Sequence, residues 1–458
     1  MMRAETLLYR ALWRLALPLV RVYVRHKDKR RLVPALATKE RFGYSAPPSG
    51  WNASRHRPLT VWIHGASVGE CVSVLPLVEW LLSPRFPSRN TRVVVTTTTP
   101  SARDVMRRRL HCDKLSGASM ETNPRVTCVF APLDAPECVE RFYDAWRPDV
   151  GLWVESELWP TLILEAARRQ IRIGIINARL SHRSVERWSL VQSLARSMVS
   201  RFSLVLCQDD EQCHRFARLG AKNPQALTNL KFIGTRSEAS STVGSDIMQQ
   251  AIAARLAWLT VSTHEGEEAM VADIHSRLQQ TQAHRVLTVI IPRHPERSSS
   301  IIRQIISEHP HLRVSLRSID TIPPASTDIF IVDTLGETQL FFSLIPTVVV
   351  GGSFVRRGGH NPIEPLRNGC HVIVGPHMFN FSDILSQLNR AFVPLVHQVQ
   401  SPEDLVAHLQ RHFENDASSE HVAAVSQRMT ELSVHAMSAY ERRLTDWLVS
   451  DTTPTHPC

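Results

Sequence analysis

Short apolar runs rich in β-branched residues alternate with longer amphipathic stretches along most of this chain. Between residues 59 and 208 the runs fall at 59–64, 92–97, 126–131, 150–155, 171–177 and 203–208. The gaps hold segments of helical spacing, among them 72–82, 135–146 and 158–169. Such a βαβ series predicts a mostly parallel sheet with helices on both faces. A break follows at 229–249, where Gly234, Ser237, Ser240, Ser241, Gly244 and Ser245 read as a linker. The alternation then resumes at 258–262, 285–291, 312–316, 328–333, 347–350 and 372–374, and 402–450 reads as helix throughout. The pattern predicts two tandem Rossmann-like α/β domains, at 46–232 and 251–430, joined by a linker at 233–250. A basic N-terminal segment (1–45) precedes them and a helical tail (431–458) follows.

The polar motifs gather at one end of these strands. His64-Gly65-Ala66-Ser67-Val68-Gly69-Glu70 follows the first, Glu155-Ser156-Glu157 the fourth, and Asn177 ends the fifth. In the second half, Thr263-His264-Glu265, Pro292-Arg293-His294 and Asp333-Thr334-Leu335-Gly336-Glu337 hold the same position. So does the loop that begins Gly351-Gly352-Ser353 and continues through Gly358, Gly359 and His360 to Glu364. Ligands of open α/β sheets bind outside the carboxyl ends of the strands, so these groups would line one cleft if the two domains face each other. The glycine loop, expected to open directly into a helix, suits an anion and most often a phosphate. It lacks the Gly-Lys-Ser/Thr of a Walker loop and the spacing of a dinucleotide fingerprint. An ordinary strand–loop–helix turn could also carry its glycines.

Composition narrows the partners. The 458 residues are 43% apolar and 21% charged, as in a globular protein, and the net charge is +10. That balance points to an acidic partner: nucleic acid, anionic lipid or a phosphorylated substrate. With 7% aromatics and no basic–aromatic stacking pattern, nucleic acid is disfavoured. Eight scattered cysteines lack any disulfide or Cys-x-x-Cys spacing, so free thiols in a reducing compartment are expected. His264-Glu265 begins like a zinc-protease motif but has no second histidine, and no metal is expected. The basic residues are mostly arginine. Lys231 is the last of six lysines.

Residues 7–24 are apolar but interrupted by Arg10, Arg14 and Arg21, and a basic cluster follows at 25–31. Three arginines argue against a full bilayer span. An interfacial helix with a polybasic tail fits better; an organellar presequence and a plain core helix are the other readings.

Three residues of the first half suggest chemistry. Glu70, in a Ser-x-Gly-Glu turn, is either a helix-capping carboxylate or a general base facing the cleft. Glu155, closing an apolar strand, is either satisfied by neighbouring N–H groups or catalytic. Lys231, between apolar neighbours, could face a developing phosphate charge, and Arg293 could do the same from the second half. Glu364, beside the glycine loop, is either a dipole-compensating residue or a ribose ligand.

These motifs resemble those of the 3-deoxy-D-manno-octulosonic acid (Kdo) transferases. The matches, in the family's order, are His-x-x-Ser-Val-Gly-Glu (64–70), Glu-Ser-Glu-Leu-Trp-Pro (155–160) and Asn-Ala-Arg-Leu-Ser (177–181). Leu-Lys-Phe (230–232), Ser-Thr-His-Glu-Gly-Glu-Glu (262–268) and Pro-Arg-His-Pro-Glu-Arg (292–297) continue the series. Asp-Thr-Leu-Gly-Glu (333–337), the glycine loop and Gly-Pro-His-x-Phe-Asn-Phe (375–381) complete it. The resemblance implies a GT-B fold and an inverting, metal-independent transfer of Kdo from CMP-Kdo to a lipid A precursor. It implies Glu70 as general base, with Glu155 and Lys231 stabilising the transition state. CMP binding maps by resemblance to Pro292, Arg293, Leu335, Gly336, Glu337, Asn361, Pro362, Ile363 and Glu364. The N-terminal segment fits the family's membrane anchor, on the cytoplasmic face of a bacterial inner membrane or on an organellar membrane. The departures are small: Leu335 stands where many members carry Met, and Gly65-Ala66 replaces other small or apolar pairs. The alternatives are a GT-B enzyme using another nucleotide sugar, and a basic membrane- or nucleic-acid-binding protein without activity.

Overall fold

A computed structural model describes residues 4–48, 51, 58–88, 90–110, 112, 125–234, 245–282, 284–389, 395–414 and 418–449. The chain divides into two compact units, one of residues 1–233 with 434–458 and one of residues 234–433. In the first, seven parallel strands pair in the order β3-β2-β1-β4-β5-β6-β7. They are β1 (Leu59–His64), β2 (Thr91–Thr97), β3 (Val126–Phe130), β4 (Val150–Val154), β5 (Arg172–Ala178), β6 (Leu204–Cys207) and β7 (Gln225–Ala226). The second unit holds another seven parallel strands in the order β10-β11-β9-β8-β12-β13-β14. These are β8 (Leu256–Thr263), β9 (Val286–Pro292), β10 (Val314–Leu316), β11 (Ile329–Ile331), β12 (Thr347–Val350), β13 (His371–Val374) and β14 (Val396–Gln398).

The apolar runs become strands because both sheet faces are covered. Val61 and Ile63 of β1 join one core with Val93, Val95 and Leu152. The intervening Trp62 joins the other, with Val94, Phe142, Tyr143 and Trp153. The last helix, Ser418–Val449, contributes Ala436, Tyr440, Leu444 and Leu448 to the first of these cores. That spacing of four places them on one helix face.

The observed strand bounds differ from the expected ones by no more than two residues at most ends. Two edge strands, β7 and β14, are two and three residues long and carry no periodicity to read. The helix expected at 72–82 is two helices, Val68–Ser73 and Leu75–Leu82. Pro76, at the start of the second, cannot donate back to the first. In place of one helix over 402–450 there are two, Pro402–Glu414 and Ser418–Val449. Of the expected linker, 235–244 lie outside the described residues, and helix Ser245–Ala253 starts before position 250. Residues 450–458 of the tail are likewise outside them.

The N-terminal helix, Ala4–Arg30, packs on the first unit by one face. Tyr9 donates to Asp134 Oδ2 at 2.8 Å, and Glu5 accepts from the Leu194 N–H at 2.8 Å. Leu17 is buried with Phe42, Ala135 and Cys138. Arg10 and Arg21 turn toward the same side, reaching Glu140 at 3.3 Å and Glu137 at 3.4 Å. The opposite face carries Leu8, Leu12, Leu15, Leu19 and Val22, which are between 56% and 78% exposed. Among the described residues no helix is long and apolar enough to cross a membrane.

Candidate active site

In the first unit the strand order reverses between β1 and β4, which is where a doubly wound sheet opens a crevice. Glu70 and Glu155 lie just beyond the ends of these two strands. The chain leaves β1 through Gly65 and Ala66 into a helix whose N-cap is Ser67. The Glu70 N–H donates to Ser67 Oγ at 3.3 Å, and Ser67 Oγ–H donates to Glu70 Oε1 at 2.8 Å. The Ala66 N–H donates to Glu70 Oε2 at 2.7 Å. The capping reading of Glu70 is therefore realised. It does not use up the group: burial raises the carboxyl above its ordinary pKa, against those hydrogen bonds, and Glu155 adds to the rise.

Glu155 takes a left-handed backbone conformation, φ +57°, directly after β4. A non-glycine residue there is strained, and such strain persists only where surroundings hold it. Here its N–H donates to Ile176 O at 3.1 Å, and its carbonyl accepts from the Arg179 N–H at 3.3 Å. The side chain is thereby directed to Lys231 Nζ, 2.7 Å from Oε1, and Asn177 Nδ2 donates to the same oxygen at 3.3 Å. Asn177 is itself left-handed, φ +52°, within the register shift of β5 against β6. Its Oδ1 accepts from the Leu230 N–H at 3.0 Å and so fixes the short 3-10 turn Leu230–Phe232 that carries Lys231. Both Lys231 and Glu155 are mostly buried, which strengthens the pair.

A third carboxylate, Glu157, joins this rim without having been assigned a role by the sequence. Trp159 Nε1–H donates to its Oε2 at 2.8 Å, and His64 Nε2 lies 3.7 Å from the same atom. Burial, then repulsion from Glu70, pushes Glu157 up to about 7. His64 is fully buried at the end of β1, bonded to Thr96 Oγ1 at 2.9 Å, and burial holds it down at about 3. In the sequence, Glu157 is marked by the alternate spacing of Glu155-Ser156-Glu157 after a strand end and by the Glu-Ser-Glu-Leu-Trp-Pro motif at 155–160.

In the second unit the order reverses between β8 and β12, and β12 leads into the glycine loop. Several of the loop's amides are engaged within the protein. The Gly351 N–H donates to Val261 O at 2.8 Å and the Gly359 N–H to Gly352 O at 2.8 Å. Buried Glu267 accepts from the N–H groups of Gly352 (2.7 Å), His264 (2.9 Å) and Phe354 (3.0 Å). Gly351 is required by close approach: a Cβ there would stand 2.6 Å from the Ser262 carbonyl oxygen. Ser353 is buried and ties the loop together, Oγ accepting from the Gly375 N–H at 2.9 Å. Gly358 and Gly359 are left-handed, φ +91° and +75°.

Exposed basic side chains add further donors beside the loop. Arg293, after Pro292 at the end of β9, is exposed, as are Arg356 and Arg357. None of the three has an ion-pair partner among the described residues. His264 and His360 share a hydrogen bond, Nε2 to Nε2, at 2.8 Å. Burial lowers both, His360 to about 4, and the positive charges of Arg357, His294 and Arg293 lower His264 further. A basic cluster therefore surrounds this histidine pair and suits an anion.

Of the remaining candidates, the side chains of Glu337 and Asn361 make structural bonds, while among the described residues Leu335, Gly336 and the Glu364 side chain do not. Glu337, at the start of helix Thr338–Leu344, is held by Arg317, with Nη2 to Oε1 at 2.7 Å. Leu335 is 85% exposed and Gly336 has φ +87°. Asn361 Oδ1 accepts from the Ile363 N–H at 3.1 Å, capping helix Ile363–Arg367 behind Pro362, with Glu364 exposed in its first turn. That helix is five residues long and starts four residues after Gly359, so the loop does not open into it directly. Among the described residues no hydrogen bond links the 335–337 turn to the glycine loop, and no group of three His, Cys, Asp or Glu side chains could hold a metal.

Two such parallel-sheet units make a GT-B-type fold. The fold is shared with the crystal structure of Anabaena Alr3699/HepE in complex with UDP and glucose. That likeness has TM-score 0.54 at 10% identity, over 86% of this chain and 100% of the other. Residues 37–233 match the family model described as 3-deoxy-D-manno-octulosonic-acid transferase (kdotransferase). A probable mitochondrial 3-deoxy-D-manno-octulosonic acid transferase of Arabidopsis thaliana is 32% identical over 87% of this chain and 86% of its own length. The 3-deoxy-D-manno-octulosonic acid transferase of Haemophilus influenzae is 32% identical over 76% and 77%. The chain belongs to the Kdo transferase family and is a glycosyltransferase.

Two outcomes follow from this geometry. Gly351→Ala should destabilise the protein by about 1–3 kcal/mol in urea unfolding, because the methyl group meets backbone that cannot retreat. Unchanged stability would show that Ser262 yields. Glu157 has a folded pKa above its unfolded value, so it favours the fold fully below about 4.5 and loses that contribution as pH rises through about 7. Glu157→Gln should therefore gain stability relative to the parent between pH 5 and pH 8, and a flat difference across that range would count against a buried, protonated Glu157.

Proposed function

We propose that this enzyme moves Kdo from CMP-Kdo to a hydroxyl of a lipid A precursor of the lipid IVA type, inverting the anomeric centre and releasing CMP without a metal ion. The observation that carries the reading is the Glu155–Lys231 pair at 2.7 Å beside the raised Glu70 carboxyl, all on the switch-point rim of the first unit.

Glu70 is the general base. It takes the proton of the acceptor hydroxyl as that oxygen attacks the anomeric carbon of Kdo from the face opposite the leaving group. The bond from that carbon to the CMP phosphate oxygen breaks, and the electron pair leaves on the phosphate. A carboxyl raised by burial binds a proton more readily than a solvated one, and its hydrogen bonds to Ala66 and Ser67 fix where the lone pair points. Lys231, positioned by Glu155 and Asn177, meets negative charge as it develops in the transition state. The CMP moiety belongs to the basic cluster of the second unit, where Arg293, Arg356 and Arg357 offer bidentate donors to a phosphate. Asn361 and Glu364 then fall to the nucleoside.

The outward leucine row of the N-terminal helix and the basic cluster that ends it suit an anionic membrane surface, where an acylated, phosphorylated acceptor resides. The enzyme would work at the cytoplasmic face of a bacterial inner membrane or at an organellar membrane.

The decisive experiment follows transfer from freshly generated CMP-Kdo to a tetraacylated lipid A precursor, with product mass as the readout. Glu70→Ala should lower turnover by about 100-fold or more while CMP still binds, the effect of losing a general base. Wild-type turnover in that variant would remove Glu70 from the mechanism. Arg293→Ala should weaken donor binding and leave turnover at saturating donor largely intact; unchanged donor affinity would place the phosphate elsewhere.

A further inference from the structure

A cavity of about 590 Å³ opens between the N-terminal helix and the ends of helices Pro160–Arg168 and Gln192–Val199. Four arginines line it, Arg10, Arg168, Arg196 and Arg201, against one carboxylate, Glu165. Ser197 and Ser200 line the same space. Helices of a parallel sheet run back against the strands, so their last turns lie at the end opposite the strand carboxyl ends. This cavity is therefore separate from Glu70, Glu155 and Lys231.

Helix dipoles account for part of the arginine cluster. Arg168 and Arg196 occupy last turns, where a cation offsets the negative helix end. That does not explain Arg201, which lies past the helix end; Arg10, from another helix, lines the cavity while also reaching Glu140 at 3.3 Å. Glu165 does not neutralise the set either, because it is shared by Arg168 at 2.6 Å and Arg169 at 2.8 Å. Arg196 and Arg201 have no carboxylate partner among the described residues. Leu7, Ala11 and Leu15, with Arg10 and Arg14, form one open face of the N-terminal helix beside this cavity. That face shares Arg10 with the cavity and carries part of the exposed leucine row. A cationic pocket of ligand size beside an apolar helix face is complementary to an amphiphilic anion.

We propose that this cavity and the helix face beside it bind one anionic phospholipid, its phosphate headgroup among the arginines and an acyl chain against the leucines. The proposal rests on the membrane reading of the N-terminal helix and adds a defined lipid site to it. Bound there, the lipid bridges the helix to the body of the first unit through Arg10 on one side and Arg196 and Arg201 on the other.

The test uses the full chain in detergent, with native mass spectrometry after adding phosphatidylglycerol or phosphatidylcholine. One phosphatidylglycerol adduct per chain is expected, and none with phosphatidylcholine. Arg196→Gln with Arg201→Gln should weaken the adduct about thirtyfold, the effect of removing two basic groups beside anionic lipid. Ala167→Trp fills the cavity without changing charge and should abolish it. An adduct unaffected in both variants, equal retention of phosphatidylcholine, or displacement of the lipid by inorganic phosphate would overturn the proposal. Vesicle sedimentation separates this from the membrane reading. The pocket variants should still sediment with phosphatidylglycerol vesicles, and Leu12→Ser with Leu15→Ser and Leu19→Ser should not. A wild-type protein that keeps its adduct yet ignores vesicles would sink the membrane reading and leave the lipid site.

Discussion

A parallel strand must be followed by a crossover that carries the chain back to the other end of the sheet. Both units here are built from nothing but such pairs. Each strand therefore delivers its last residue to the same rim, and each crossover helix begins there with its unpaired N–H groups. Polar residues are excluded from strands buried on both faces and are tolerated at this rim, where loops expose them. Where neighbouring strands lead their helices to opposite faces, between β1 and β4 and between β8 and β12, the rim opens. His64, Glu70 and Glu155 flank the first opening, and His264 with the glycine loop flanks the second. The chemistry of the chain is concentrated where its topology leaves room.

Each rim also has to satisfy the backbone groups that the turns leave over, and both units use a carboxylate for this. Glu267 accepts three backbone N–H bonds and is buried. Glu70 accepts one N–H and one hydroxyl and is only partly buried. The difference decides what each group can do. Protonating Glu267 would cost bonds that hold two loops together, whereas Glu70 retains open lone pairs on an accessible face. Capping and catalysis are therefore compatible at position 70, while at position 267 structure takes the whole side chain.

The strands were legible because a run buried on both faces must be apolar throughout, and that signal survives at β1 to β6 and at most of the second sheet. It fails for β7 and β14, which are too short to show a pattern. The motif residues of the rims were legible as strand-end residues, and Lys231 as a lone lysine among apolar neighbours. The partners were not. The bond from Lys231 to Glu155 depends on left-handed turns at Glu155 and Asn177, which no periodicity encodes. The glycine loop suggested free amides, but Gly351 is there for contact with Ser262, and Glu267 had no mark distinguishing it from its neighbours Glu265 and Glu268. Exposed arginine side chains stand beside the loop as further donors.

The N-terminal helix shows why a charge count along a segment says less than the direction of each charge. In sequence, Arg10, Arg14 and Arg21 interrupt an apolar stretch and spoil it as a membrane element. In the fold, Arg10 and Arg21 turn to Glu140 and Glu137 on the protein side. Leu8, Leu12, Leu15, Leu19 and Val22 recur at spacings of three and four and face outward. A surface helix in water would bury that row against the core. Here the core contact is made by the opposite, mixed face through Tyr9, Leu17 and Glu5, so the apolar row is in excess of what folding requires. Pairing Arg10 and Arg21 with Glu140 and Glu137 on the protein side leaves that apolar row free of their charge.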